Sequence, residues 1–214
     1  SADYQVAERE VDGVLYQVFY DKAHAWNVER MLEAAEDSVN YFSEQFGPYQ
    51  YRQMRIQEFP VYSVFAQAFP NTIPFSEGIG FIADLNDPAG VDYVYMVTAH
   101  EAAHQWWAHQ VAPANVQGAT MLVETFAEYS ALMLLSQRYG EDHMRRYLTR
   151  ELVGYLDGRG AEAFEEQPLY RVEDQQYIHY RKGALIMYAL QDYVGEATVN
   201  RAMRRLVEEY AYAT

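Results

Sequence analysis

The sequence contains no cysteine among its 214 residues, so it can form neither disulfide bonds nor thiolate metal sites. Basic residues are scarce: 16 lysines and arginines are outnumbered by 31 aspartates and glutamates, for a formal net charge of −15. This balance argues against nucleic acid and against anionic membrane surfaces as partners. No apolar run approaches the roughly 18 residues of a transmembrane helix, and no signal peptide is recognisable. We therefore expect a cytosolic protein or a soluble piece of a longer chain, and the ends of the sequence favour a piece.

The clearest chemical signal is the segment His100-Glu101-Ala102-Ala103-His104. It lies within Tyr93–Gln110, a run without Gly or Pro in which the apolar residues are spaced for a helix. Two histidines four residues apart on a helix project from one face and can bind one metal ion, most often Zn²⁺. Glu101 can then act as the general base toward the attacking water. Two ordinary histidines on a helix are the alternative, because a pattern with three fixed positions can arise by chance.

A catalytic zinc site also needs a third protein ligand and one open position. Glu124 is the candidate, because it lies 20 positions after His104 near the start of a second apolar helix. This spacing lets the first helix end and the second return antiparallel, so that the carboxylate faces both imidazoles. An acidic residue favoured by the dipole of its own helix is the alternative. The sequence predicts one Zn²⁺ bound by His100, His104 and Glu124.

Strand-like patterns lie in the first third of the chain, and helical patterns fill the rest. We expect strands at Val11–Tyr20, Met54–Phe59, Val61–Ala68 and Ile79–Ala83, with a loop over Phe69–Gly78. We expect helices at Val28–Phe46, Thr120–Tyr139, Glu141–Leu156, Tyr177–Val194 and Glu196–Tyr210, besides the histidine helix, which Asp92 would cap. This order predicts an α+β fold in one domain over residues 1–214, strand-rich to about residue 91 and helical from about residue 92.

Four segments resemble the gluzincin metallopeptidases of the aminopeptidase N family. They are FGPYQY at Phe46–Tyr51, HEAAHQWW at His100–Trp107, ETFA at Glu124–Ala127 and YRKGA at Tyr180–Ala184. The resemblance implies a thermolysin-like catalytic domain, in which a small N-terminal mixed sheet precedes a mostly helical lobe. It also implies zinc-dependent hydrolysis of peptide bonds with aminopeptidase-like release of N-terminal residues. Tyr180 matches the family's catalytic tyrosine, whose phenol would donate a hydrogen bond to the oxyanion.

The third-ligand segment departs from the family in spacing and in its flanking residues. Nineteen residues separate His104 from Glu124, one more than is usual in the family. We expect the extra residue to bulge out of the connection around Pro113–Gly118. Val123 and Thr125 replace the usual Asn and Gly on either side of the glutamate.

The family's Gly-Ala-Met-Glu-Asn exopeptidase motif is absent, and Phe75–Phe81 stands in its place. Glu77, 23 residues before His100, matches the glutamate of that motif. The resemblance therefore implies that Glu77 binds the free α-amino group of the substrate. Glu128, four residues after Glu124, is either a hydrogen-bond acceptor for a ligand imidazole or a solvated helix charge.

Two other functions stay open. The same zinc site would serve an endopeptidase or oligopeptidase if Glu77 does not face the cleft. A non-catalytic, peptidase-like module that binds peptides or partners within a larger assembly is the other alternative. The sequence pattern HQWW…VQGATML…E resembles that of bacterial peptidase domains joined to membrane-permease segments. That likeness implies an extracytoplasmic domain whose parent chain carries membrane-embedded segments; otherwise we expect a cytoplasmic protein.

Overall fold

The chain begins with a β-hairpin whose turn follows from the dipeptide Asp12-Gly13. The computed structural model describes residues 3–87 and 90–213, and in it β1 (Gln5–Val11) pairs antiparallel with β2 (Val14–Tyr20). Asp12 and Gly13 have φ angles of +49° and +79°, and Asp-Gly is a preferred dipeptide for such tight hairpin turns. The strand expected over Val11–Tyr20 is thus half of a hairpin. The ends of the expected domain, residues 1, 2 and 214, and the internal positions 88 and 89 lie outside the described residues.

A four-stranded mixed sheet forms in the order β1-β2-β3-β4. β3 (Gln53–Phe59) pairs parallel with β2, and β4 (Thr72–Ser76) pairs parallel with β3. Parallel pairing requires a crossover connection, and α1 (Val28–Phe46) supplies it between β2 and β3. The inward face of the sheet and α1 bury apolar side chains against each other, among them Tyr16, Val18, Met54, Ile56, Met31 and Phe42.

Three expectations for residues 61–83 are wrong. Within residues 61–68 one isolated bridge joins Ala66 to Phe75 of β4, and Ile79–Ala83 forms turns and irregular backbone. The expected loop over Phe69–Gly78 contains β4 itself. On the side opposite β3, the backbone N–H of Gln67 donates to the Pro74 carbonyl and that of Ser76 donates to the Phe65 carbonyl. Pro74 is tolerated because its carbonyl accepts in this bridge and its missing N–H interrupts no regular strand pairing there.

The remaining helices follow the sequence pattern more closely. They are α2 (Tyr93–Ala103), α3 (Phe126–Tyr139), α4 (Glu141–Ala161), α5 (Gly183–Val194) and α6 (Glu196–Tyr210). Two π-helical turns, Met121–Thr125 and Tyr177–Lys182, precede α3 and α5, and short 3₁₀ turns lie at Ala25–Asn27 and Leu169–Arg171. The bounds expected for α1 are confirmed. Asn27 directly precedes this helix, but its side chain makes no capping hydrogen bond. The Asn27 side chain instead donates to the carbonyl oxygens of Gly80 and Ala83.

Helix α2 lies in the middle of the molecule, between α1 and α3. Two fully buried tryptophans follow it: Trp106 donates to the carbonyl of Gly47, and Trp107 donates to the hydroxyl of Ser130. These contacts hold the end of α2 in place, since each large ring is packed and its N–H is satisfied. The α+β class is confirmed. Within the described residues, no helix combines the length and apolar character that crossing a membrane requires.

Candidate active site

His100 and His104 lie at the C-terminal end of α2, one helical turn apart. The helix begins at its expected cap, because the Asp92 side chain accepts a hydrogen bond of 3.0 Å from the backbone N–H of Tyr95. The two imidazole rings have centroids 4.7 Å apart and are inclined at 85°. Their side chains are only 8% and 9% exposed. The helix thus presents both rings from one face, as the spacing predicts.

Glu124 brings one carboxylate oxygen to both histidines. Its Oε2 atom lies 3.3 Å from Nε2 of His100 and 3.5 Å from Nε2 of His104. Donor atoms bound tetrahedrally to zinc at about 2.0–2.1 Å lie about 3.3–3.4 Å from one another. Both distances match those between two ligands of one zinc ion, and the donor set of two imidazoles and a carboxylate suits that metal.

The other ring nitrogens of the histidines are already engaged. Nδ1 of His100 lies 2.8 Å from Oε2 of Glu128, and Nδ1 of His104 lies 3.1 Å from the carbonyl oxygen of Trp107. Such contacts orient each ring and leave Nε2 for a metal. Glu128 is 4% exposed, and the Tyr147 hydroxyl donates to its second carboxylate oxygen. Of the two alternatives for Glu128, the structure favours the partner of a ligand imidazole over a solvated charge.

Glu101 lies beside this cluster and is buried. Its ligand atom is within 4.8 Å of those of His100 and His104, but both Nε2 atoms converge on Glu124, which makes Glu124 the better candidate for a third ligand. Glu101 instead accepts a hydrogen bond from the backbone of Ala68. Burial raises the pKa of Glu101, although the two histidines oppose this shift. A carboxylate with a raised pKa is suited to accept and return a proton near neutral pH.

The electrostatics of Glu124 and His100 reflect their mutual contact. Burial acts to raise the pKa of Glu124, but hydrogen bonds from both histidines outweigh it and lower that pKa strongly. Burial likewise acts to lower the pKa of His100, and contacts with Glu124 and Glu128 more than compensate, so that pKa is raised. The carboxylate is therefore ionised, as a metal ligand has to be.

Tyr180 reaches the same cluster from the π-helical turn Tyr177–Lys182. Its ring centroid is 5.8 Å from that of His100, and its phenol lies near enough to Glu124 for the two groups to interact. Burial, and after it the charge of Glu124, raises the pKa of Tyr180. The phenol therefore keeps its proton and is available as a hydrogen-bond donor. His179, next to it, is also buried, and burial lowers the pKa of its imidazole.

Glu124 likewise sits in a π-helical turn, Met121–Thr125. A π-helical turn inside a helix takes up one residue more than an α-helical turn and is common at functional sites. The longer path between His104 and Glu124 can be absorbed there. A bulge around Pro113–Gly118, expected from the spacing, is therefore not required.

Glu77 lies in a different cluster. Its Oε1 accepts a 2.9 Å hydrogen bond from the backbone N–H of Val61, and its Oε2 is 3.7 Å from Nδ1 of His24. His24 Nδ1 is also 2.5 Å from Oε1 of Glu58, which is shorter than the spacing of two ligands on one zinc. This cluster is therefore an ion triad. In the part of the chain that is described, the contacts found for Glu77 do not include the histidine–Glu124 cluster, and its role stays a prediction.

Helix α4 packs against the turn that carries Tyr180. This contact was not predicted from the sequence. Arg181 forms a 2.7 Å ion pair with Glu151 of α4, whose side chain is 3% exposed. A Cβ on Gly154 would lie 2.6 Å from Cδ of Arg181, and one on Gly158 would lie 2.5 Å from Cβ of Tyr177. Glycine is unfavourable inside a helix. The pair of glycines four residues apart was therefore the available signal that another segment crosses α4 closely.

The fold and the site together define a gluzincin metallopeptidase domain. A model described as the Peptidase family M1 domain matches residues 30–214. The chain belongs to peptidase family M1, in agreement with the resemblance to the aminopeptidase N family.

Curated relatives and a solved structure extend this comparison. Aminopeptidase M1-A of Oryza sativa subsp. japonica is 25% identical over 212 residues, which cover 94% of this chain and 24% of that protein. Probable aminopeptidase 1 of Sulfurisphaera tokodaii is 24% identical over 192 residues, 85% of this chain and 24% of that protein. The crystal structure of a mutant M1 zinc metallopeptidase from Deinococcus radiodurans matches with a TM-score of 0.66 and 22% identity, covering 98% of this chain and 45% of that chain. This likeness supports the fold, and the chain spans about a quarter of the length of these curated relatives.

Proposed function

We propose that this chain is the catalytic domain of a zinc-dependent metallopeptidase that releases N-terminal residues from peptides, with one Zn²⁺ held by His100, His104 and Glu124. The observation that carries the proposal is the convergence of two imidazole Nε2 atoms on one oxygen of Glu124 at 3.3 and 3.5 Å. The engagement of both Nδ1 atoms elsewhere supports it further. The relatives from Oryza sativa and Sulfurisphaera tokodaii are named as aminopeptidases, which favours a peptide as the substrate.

Two residues of the chain carry the proposed proton transfer and charge stabilisation. When bound, zinc supplies a Lewis acid that polarises the scissile carbonyl and eases deprotonation of water. Glu101 takes the proton of the attacking water and passes it to the leaving amine, a role that its raised pKa favours. Tyr180 donates its phenolic proton in a hydrogen bond to the oxyanion that develops on the carbonyl. Because Glu101 is buried and Tyr180 is half-buried, these interactions are stronger than they would be in solvent.

Release of N-terminal residues also requires a group that binds the free amino group of the substrate, and Glu77 is the residue proposed for it. A second candidate function is endopeptidase or oligopeptidase hydrolysis at the same zinc site. The contacts of Glu77 with Val61 and His24 favour this second candidate, because each of its carboxylate oxygens already has a partner within the chain. An association with membrane-embedded segments of a parent chain stays a prediction.

A pair of matched peptides distinguishes these candidates. The zinc-loaded protein is incubated with one peptide in two forms, with a free and with an acetylated N-terminus, and the products are identified by mass spectrometry. We expect cleavage of the first peptide bond in the free form and none in the acetylated form. Cleavage of both forms at internal bonds would establish the endopeptidase. If zinc binds and neither form is cleaved, the chain is a non-catalytic module.

The substitution Glu101→Gln serves as the control for that assay. It keeps the shape of the side chain and removes its capacity to accept a proton. We expect full zinc content and a rate lower by a factor of about 10² to 10⁴. Hydrolysis at the wild-type rate would show that Glu101 is not the general base.

A further inference from the structure

The two π-helical turns of the site, Met121–Thr125 and Tyr177–Lys182, pack directly against each other. One of them carries Glu124 and the other carries Tyr180. A side-chain hydrogen bond joins them: the hydroxyl of Thr125 donates to the carbonyl oxygen of His179 at 2.6 Å. Thr125 is fully buried, so water does not compete for this bond.

The approach at this bond leaves no spare room. A Cβ on Gly183, the first residue of α5, would lie 2.6 Å from Oγ1 of Thr125 and 2.8 Å from its Cγ2. The threonine side chain thus fills the space between the Glu124 turn and the start of α5. Its position is fixed by packing as well as by the hydrogen bond.

The two ends of the bond are the immediate chain neighbours of the two functional residues. Thr125 follows Glu124, and His179 precedes Tyr180. The phenol of Tyr180 in turn lies close to Glu124, and its ring is 5.8 Å from that of His100. Any loosening between the turns therefore changes the distance between the phenol and the carboxylate. The glycine that is usual in the family after the third ligand has no side chain that could make this bond.

We propose that Thr125 is a positioning residue whose hydroxyl, by holding the carbonyl of His179, keeps the Tyr180 phenol in place for donation to the oxyanion. This proposal rests on the proposed peptidase function. The proposal predicts an effect on the rate of the chemical step, because substrate binding does not require the phenol to be correctly placed. A merely structural bond would instead contribute to stability and leave turnover by the folded protein unchanged.

Two substitutions separate the hydroxyl of Thr125 from its volume. Thr125→Val keeps the shape and removes the donor, and Thr125→Ser keeps the donor. In zinc-loaded protein we expect Thr125→Val to lower kcat by about 10- to 100-fold, as a small misplacement of a catalytic group does. We expect KM and zinc content to stay close to wild type and Thr125→Ser to restore most of kcat. Wild-type kcat in Thr125→Val would overturn the proposal.

A matched control and a double-mutant cycle test whether Thr125 acts through Tyr180. Thr120→Val removes the same kind of bond, a 2.8 Å hydroxyl contact with the carbonyl of Val172, and we expect it to leave kcat unchanged. If Thr125 acts through Tyr180, Thr125→Val should cause no further loss of kcat when added to Tyr180→Phe. Losses that multiply in the double variant would refute action through the phenol.

Hydrogen exchange gives a readout that does not depend on hydrolysis. In zinc-loaded protein without substrate, we expect faster backbone exchange over residues 177–183 in Thr125→Val but not in Thr125→Ser or Thr120→Val. Unchanged exchange in Thr125→Val would refute the proposal that the Thr125 hydroxyl restrains the Tyr180 turn, whether or not the protein cleaves peptides. A wild-type protein that cleaves no peptide would refute the proposed function, while exchange would still decide whether the bond restrains this turn.

Discussion

Glu128 offers a quantitative test of how the site prepares His100 for zinc. Its two carboxylate oxygens have different partners: one lies 2.8 Å from Nδ1 of His100, and the other accepts the hydroxyl of Tyr147. The substitution Glu128→Gln preserves the volume of the side chain but leaves one oxygen and no negative charge. The buried imidazole then loses the charge that fixes its orientation and raises its basicity.

The magnitude follows from the kind of contact that is lost. A hydrogen bond to a charged group contributes about 1.5–3 kcal/mol, roughly twice the value of a neutral one. Replacing the carboxylate of Glu128 by an amide therefore removes about half of this contribution, roughly 0.8–1.5 kcal/mol, which corresponds to about 4- to 12-fold in a dissociation constant. We expect the zinc affinity to fall about tenfold, at the lower end of the range of about 10- to 100-fold found for residues that orient metal-bound histidines.

Competition with a chromophoric zinc chelator at fixed pH measures this difference directly. The exposed Glu173 provides a matched control, since Glu173→Gln makes the same chemical change outside the site. Circular dichroism shows whether each variant is folded. A folded Glu128→Gln protein that binds zinc as tightly as wild type would refute the assignment of Glu128 to His100.

Three further predictions test the mechanism and the fold. Tyr180→Phe should lower kcat about 10²- to 10³-fold with zinc content unchanged, and an unchanged kcat would remove the phenol from the mechanism. A hydrogen bond to Glu58 raises the pKa of His24 above 6.5. The free energy of unfolding lost in His24→Gln should therefore be largest below pH 6.5 and vanish as the pH rises through the raised pKa. Chemical denaturation at several pH values measures this loss, and a loss that does not change with pH would contradict the prediction. Gly158→Ala should destabilise the fold by about 1–3 kcal/mol, because the added Cβ has no room. Gly160→Ala, which has open space around it, should instead stabilise the fold by up to about 1 kcal/mol. Equal shifts in Tm for the two variants would contradict the close packing of the Tyr180 turn against α4.

The histidine helix could be predicted because its information is local. The cap at Asp92, the four-residue spacing of the histidines and the absence of Gly and Pro all lie within one short segment. Its C-terminal end could not be predicted. The helical pattern continues to Gln110, yet α2 stops at Ala103 and Ala108 has a φ of +154°. Packing of the two tryptophans after the helix outweighs the local preference.

The region before α2 was harder, because its structure depends on pairing with distant residues. Asn71, Pro70 and Pro74 dominate the local signal of β4 and indicate a loop, whereas the strand forms because β3 pairs with it. The same holds for Glu77. Its contacts with Val61 and His24 arise from the way in which segments far apart in sequence meet, and its distance from His100 along the chain carries no information about them.

The residues of the candidate site likewise fall into those that local motifs predict and those that depend on contacts between distant segments. His100, His104, Glu124 and Tyr180 could be singled out from motifs, and the structure brings them together. The contacts behind them, such as Arg181 with Glu151, join residues on helices whose relative rotation no local pattern specifies. The two glycines spaced four residues apart on α4 were the sequence feature that indicated this packing.

Metal content is the most direct test of the zinc site. The wild-type protein and Glu124→Ala are equilibrated with buffered Zn²⁺, dialysed and measured by plasma mass spectrometry. Removal of one of three ligands leaves two imidazoles, which bind zinc too weakly to survive dialysis. We predict one zinc per wild-type chain and a folded Glu124→Ala protein without zinc. A variant that keeps its full zinc content, or a wild-type protein that binds none, would contradict the site described here.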